Sequence, residues 1–140
     1  MIYADNAATT ALDIDAFEAM KPYLLKEYGN ASQPYSFARS AKKALAAARK
    51  TIADCIGAQP EEIFFTSGGT ESDNWAIKGT LQYGDGRAIL TSQIEHHAIL
   101  NACASVERLG YPVVYLSVDQ KGVLTPATLN KFITGNTKLV

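Results

Sequence analysis

The sequence predicts an α/β fold, a three-layer arrangement in which helices flank a mostly parallel sheet. Short apolar runs at residues 63–66, 87–91 and 112–117 alternate with longer stretches of helical apolar spacing. Each run leads through turn residues into a helix, so consecutive strands are expected to be joined by crossovers rather than hairpins. The chain has 140 residues, 47% of them hydrophobic and 19% charged, which is enough apolar material for a core without disulfide staples.

The elements follow in order. Residues 12–28 return apolar side chains at helical spacing (Phe17, Met20, Leu24, Leu25), with Asp13 and Asp15 at the start and Gly29-Asn30 as the stop. A loop over 30–35 leads to a second helix over 36–56, rich in Ala, Lys and Arg. Its run Ala44-Leu45-Ala46-Ala47-Ala48 allows close approach of another element, and Gly57 sits at its C-terminal cap. Residues 63–66, Ile-Phe-Phe-Thr, read as a buried strand, and Ser67-Gly68-Gly69-Thr70 as a tight turn. A helix then runs from about Glu71 through Trp75, Ile77 and Leu81, closed by Gly84-Asp85-Gly86. A strand at 87–91, a helix at 97–109 stopped by Gly110, and a strand at 112–117 come next, and Thr125-Pro126 opens another helix. The final residues, 137–140, read as a strand just beginning, so the chain is expected to be a truncated piece that continues past Val140.

Thirteen basic against 14 acidic side chains give a net charge of −1. A nucleic-acid partner is not expected, because no basic stripe is present to displace counterions. No segment approaches the roughly 20 apolar residues of a membrane span, and the N-terminus lacks a basic region followed by an apolar one, so a cytoplasmic protein with no membrane partner is expected. Cys55 and Cys103 fall inside helical patterns and read as buried reduced thiols.

A strand, a Gly-Gly turn and a helix start together form an arrangement suited to an anion, since the first amides of a helix have no internal acceptor and stand at the positive end of its dipole. Gly68 and Gly69 permit close approach, and the hydroxyls of Ser67 and Thr70 can donate to phosphate oxygens. Glu71 would repel phosphate unless it points elsewhere, and the same residues would also suit a plain helix cap. The glycines match neither G-x-G-x-x-G nor a P-loop. Glu95-His96-His97 follows the second expected strand, at the strand ends where α/β sheets bind ligands. No metal is expected, because no Cys/His cluster supplies further ligands. An imidazole here can stack on a ring or carry a proton near neutral pH, or simply cap the next helix. His96 is the preferred functional member, since His97 reads as the first helical residue.

Four segments in order then resemble the pyridoxal-phosphate-dependent cysteine desulfurases of the class V aminotransferase superfamily. They are Tyr3-Ala4-Asp5-Asn6-Ala7-Ala8-Thr9-Thr10; Tyr28-Gly29-Asn30; Phe65-Thr66-Ser67-Gly68-Gly69-Thr70-Glu71-Ser72-Asp73-Asn74 with Ala76-Ile77-Lys78-Gly79; and Glu95-His96. The resemblance implies the first half of the large domain of a fold-type-I enzyme, with residues 1–14 as an N-terminal active-site segment and 15–140 as the first part of the cofactor-binding domain. It implies pyridoxal 5′-phosphate as cofactor, with Gly69 and Thr70 on its phosphate and His96 stacked on its ring as a catalytic residue that helps move protons. Asp73-Asn74 belongs to the motif and reads as helix structure. Neither Cys55 nor Cys103 matches the family's persulfide-forming cysteine. That loop, the Schiff-base lysine, and the Asp and Gln that contact the ring are all expected after Val140, so the fragment alone is expected to be inactive. The implied reaction converts L-cysteine to L-alanine and leaves persulfide sulfur on an enzyme cysteine. The implied partners are a second copy in a homodimer and a sulfur acceptor such as an iron-sulfur scaffold. Another class V aminotransferase, a kynureninase-like or selenocysteine lyase, or a non-catalytic phosphate-ligand module are the alternatives. Relatives often carry a His and a Gly where this chain has Tyr35 and Ala38, which leaves the substrate open.

Overall fold

The computed structural model describes residues 1–82 and 87–140. The expected turn at Gly84-Asp85-Gly86 lies outside the described residues. The chain divides into two compact units, Met1–Phe64 and Phe65–Val140.

In the first unit, α1 spans Ile14–Leu25 and α2 spans Arg39–Ile56. Asp13 starts α1, its carboxylate accepting from the amides of Asp15 at 2.9 Å and Ala16 at 3.1 Å. The helix ends earlier than its apolar spacing predicts. The amides of Lys26 and Glu27 both donate to the Pro22 carbonyl at 2.8 Å, which exhausts the ladder before Gly29 is reached. No residue of α1 is buried. Gly29 serves packing instead of stopping a helix: a Cβ there would lie 2.5 Å from the Phe37 carbonyl oxygen and 3.0 Å from the Ala38 Cα. Tyr28 and Phe37 meet edge to face at 5.1 Å above this contact, and Ala38 is buried while Tyr35 is exposed. A 3₁₀ turn, Ser36–Ala38, leads into α2, which ends as expected on Gly57 at φ +70°.

The expected buried strand at residues 63–66 is absent. Ile63 accepts through its carbonyl from Arg49 Nε at 3.0 Å, and Thr66 turns its hydroxyl onto the Gly68 carbonyl at 3.2 Å. Phe64 and Phe65 are 64% and 46% exposed. Strand propensity records only a fit to a pleated, half-buried surface, and here the Ile63 carbonyl is taken by a side chain and, among the described residues, no neighbouring strand pairs with the run.

The second unit contains α3 (Gly69–Gln82), β1 (Ala88–Ser92), α4 (His97–Glu107), β2 (Val113–Leu116), α5 (Pro126–Leu129) and β3 (Thr137–Leu139). Among the described residues the sheet is parallel with order β2-β1-β3. Ile89 pairs with Val113 and, on the other side, with Leu139. As a central parallel strand, β1 buries consecutive residues, Ile89 and Leu90, because both of its faces are covered. Ile77 and Leu81 of α3 and Ala102, Cys103 and Val106 of α4 pack with Ile89, flanked by Val113, Tyr115 and Leu139. Gly110 at φ +89° ends the turn after α4, and Thr125 caps α5 through the Thr128 amide at 3.1 Å. Tyr115 donates to Glu107 at 2.8 Å, and burial followed by that carboxylate pushes its phenol up to about 12.

Only one cysteine matches the expectation. Cys103 is fully buried in the α3–α4 core, whereas Cys55 is exposed, since the covered side of α2 is marked by Ala53 two residues earlier. Burial, then the carboxylates of Glu107 and Glu95, raise the Cys103 thiol.

Two outcomes follow from this packing. Gly29→Ala is expected to lower stability by about 1–3 kcal/mol in chemical denaturation, because the clash is with backbone that cannot swing aside; an unchanged midpoint contradicts the contact. A thiol reagent is expected to modify Cys55 in the native chain and Cys103 only on unfolding; equal native rates contradict the assigned burial.

Candidate functional site

The site is assembled from the two helix starts that flank β1. At the first, Ser67 and Gly68 turn the chain into α3, and Gly69 and Thr70 are its first residues. A Cβ on Gly68 or Gly69 would meet nothing within 4 Å, so the backbone here is open to close approach. Thr70 is exposed, and its carbonyl accepts from Asn74 Nδ2 at 2.9 Å. The turn is braced from the helix side. Thr66 and Ser72 share a hydrogen bond between hydroxyls at 2.7 Å, and the Gly68 carbonyl accepts from the Ser72 amide at 3.2 Å.

Glu71 is engaged by the residue that opens the turn. Its Oε2 accepts from both the amide and the hydroxyl of Ser67, each at 2.6 Å, and these bonds hold its carboxyl below the ordinary value. Two donors from Ser67 thus satisfy the carboxylate and fix it as a brace of the turn. The same bond removes Ser67 from the expected donors. What remains is the Thr70 hydroxyl and the amides opening α3, on the positive side of the helix dipole.

At the second start, His96 precedes α4, and its Nδ1 accepts from the Ala98 amide at 3.1 Å. His97 is the first helical residue, as expected, with its ring 6.2 Å from that of His96. The helix-cap reading of His96 is thus realised, and it leaves the exposed ring fixed in place by one nitrogen.

A cavity of about 300 Å³ opens beside these starts, lined by Asp73, Ile77, Leu90, Ser92, Glu95 and Cys103 among others. Its lining runs along β1 from Ile89 to Ser92, with Leu116 of β2 on one side and Leu139 of β3 on the other. Asp73 is three residues beyond Thr70, and Glu95 immediately precedes His96. The cavity therefore borders both starts, although Gly69, Thr70 and His96 do not themselves line it. Asp73, read from the sequence as helix structure, and Glu95 belong to the polar lining together with Ser92, which sequence reading passed over; the three-residue spacing from strand end to carboxylate was the available signal. Among the described residues no group of three or more His, Cys, Asp or Glu could hold a metal ion, and no helix is long and apolar enough to cross a membrane.

The family model for aminotransferase class V matches residues 2–140. This chain belongs to the class V aminotransferase family. It is 47% identical to the cysteine desulfurase IscS of Methanosarcina thermophila, over 99% of this chain and 35% of that protein. A cysteine desulfurase of a Nostoc species is also 47% identical, over 100% of this chain and 35% of its own length. The chain thus spans about a third of the curated relatives it matches. Among solved structures, a NifS-like protein superposes with a TM-score of 0.89 at 35% identity, covering 95% of this chain and 37% of that one. SspA in complex with cysteine gives 0.90 at 37% identity, covering 96% and 40%. The α/β class, with its parallel sheet flanked by helices, is that of these structures.

Because the folded-state Glu71 carboxyl is held below the ordinary glutamate value of 4.5, the stability its contact with Ser67 contributes is fully present above 4.5 and is lost as pH falls through the lowered folded-state value. In an acid titration the Ser67 amide resonance is expected to move with a midpoint under 4.5; a midpoint at or above that value contradicts the bond.

Proposed function

We propose that this chain is the phosphate-holding part of a pyridoxal 5′-phosphate enzyme of the cysteine desulfurase type. The observation that carries the proposal is the open Gly68-Gly69-Thr70 turn at the head of α3, with the Glu71 carboxylate engaged by Ser67. A dianionic phosphate needs donors and space, and this turn offers both.

In this reading Gly69 and Thr70 bind the phosphate through backbone amides and the Thr70 hydroxyl. His96 lies against the cofactor ring, oriented by its bond from Ala98. When bound, pyridoxal 5′-phosphate supplies an electron sink for breaking bonds at an amino-acid substrate. Ile77, Leu90 and Ile99 form an apolar wall beside Asp73 and Glu95. Residues 1–14 are the N-terminal active-site segment and 15–140 the first part of the cofactor-binding domain. The complete enzyme is a cytoplasmic homodimer. It converts L-cysteine to L-alanine and passes the sulfur to an acceptor protein such as an iron-sulfur scaffold. The identity to cysteine desulfurases over nearly the whole of this chain supports that choice of substrate over other class V chemistry. In this reading neither the Schiff-base lysine nor the persulfide-forming cysteine is among these 140 residues, so the chain alone is expected to release no alanine.

Pyridoxine 5′-phosphate tests the proposal, because it carries ring and phosphate but no aldehyde to react with surface lysines. Calorimetric titration of the chain is expected to give saturable binding that weakens about tenfold in Thr70→Ala, the scale of one hydrogen bond to a charged group. Pyridoxine without the phosphate is expected to bind far more weakly. Equal binding of the two compounds, or a Thr70→Ala variant that binds as wild type, overturns the assignment.

A further inference from the structure

The turn from β1 to α4 contains two side-chain hydrogen bonds, one just before His96 and one on its ring. Ser92, the last residue of β1 and only 8% exposed, donates its hydroxyl to Oε1 of half-buried Glu95 at 2.8 Å. The next residue, His96, receives the Ala98 amide on Nδ1 at 3.1 Å. An amide can only donate, so this nitrogen must hold its lone pair. A neutral imidazole carries one ring proton, which is then on Nε2.

Glu95 immediately precedes His96, so its bond from Ser92 ties the backbone that carries the ring back to the end of β1. We propose that Ser92 and Glu95 are positioning residues for His96, closing the β1–α4 turn so that the ring caps α4 through Nδ1 and meets its ligand through a protonated Nε2. The role toward a ligand rests on the reading of His96 as the residue that contacts the cofactor.

Two consequences follow. The ligand atom facing Nε2 is a hydrogen-bond acceptor. Both other forms of the ring, the Nδ1–H tautomer and the imidazolium, carry a proton on Nδ1 and lose the Ala98 bond, so moving a proton through His96 opens the first turn of α4. The other titratable groups at this corner are His97, its ring 6.2 Å away, and Asp73 of α3 and Cys103, which line the same cavity as Glu95.

The test is imidazole ¹⁵N spectroscopy on the 140-residue chain at about pH 8, above the ordinary imidazole range, with His97→Gln used for assignment. The Nε2–H tautomer is expected to dominate for His96. Ser92→Ala is expected to raise the Nδ1–H fraction and to speed Ala98 amide exchange about fivefold, the scale of one helix cap. His96→Ala speeds exchange by a similar factor, whereas His96→Asn, whose side-chain oxygen can still cap, keeps it slow. A wild-type ring protonated on Nδ1, or a Ser92→Ala variant with unchanged tautomer and exchange, overturns the proposal. Pyridoxine 5′-phosphate that binds without moving the His96 ring resonances overturns the assignment of His96 to the cofactor, and the tautomer measurement still decides the positioning claim.

Discussion

Parallel pairing of β1 with β2 on one side and β3 on the other is the constraint from which the site follows. A parallel strand in the middle of a sheet must be entered and left through crossovers, so a helix precedes β1 and another follows it. The helix that follows starts at the strand's carboxyl end, and α3 packs beside it through Ile77 and Leu81 against Ala102, Cys103 and Val106. Burial of Ile89 and Leu90 on opposite faces anchors this arrangement, since shifting the register by one residue would disturb both faces at once. The cavity along β1, between α3 and α4, is lined by these packed elements, and Asp73, Ser92 and Glu95 are among its polar residues.

Those residues are arranged by bonds to one another. Glu71 could be the residue that most disfavours an anion at α3, yet its two bonds from Ser67 convert it into a brace for the turn. Ser72 and Thr66 brace the same turn from the other side. At α4 the Ser92–Glu95 and Ala98–His96 bonds do the equivalent for the imidazole. In both places short side chains near the helix start fix the local backbone, which lowers the cost of ordering the site when a ligand arrives.

Much of this was legible in the sequence. Gly57, Gly110 and Thr125-Pro126 mark helix ends and starts by local chemistry that tertiary context rarely overrides, and the β1 and β2 runs are short, apolar and bounded by turns. The anion-suited turn was legible for the same reason, because glycines and a helix start act locally. What failed depended on neighbours. Residues 63–66 have strand composition, but a strand exists only through its ladder, and Arg49 lies fourteen residues away in sequence from the Ile63 carbonyl that it engages. The exposure of Cys55 depends on which side of α2 is covered, and Gly29 looked like a helix stop because its close contact with Phe37 and Ala38 crosses a loop. The direction of Glu71 was open because composition does not say which of two nearby donors a carboxylate will choose.

The central claim is that the head of α3 holds a phosphate while Glu71 stays on Ser67. A crystal structure of the chain with pyridoxine 5′-phosphate tests it most directly. The account predicts phosphate oxygens at about 2.7–3.1 Å from the amides of Gly69 and Thr70 and from the Thr70 hydroxyl, with the ring against His96 and the Glu71–Ser67 bonds intact. Phosphate bound away from this turn, or bound to Ser67 with Glu71 displaced, would contradict it.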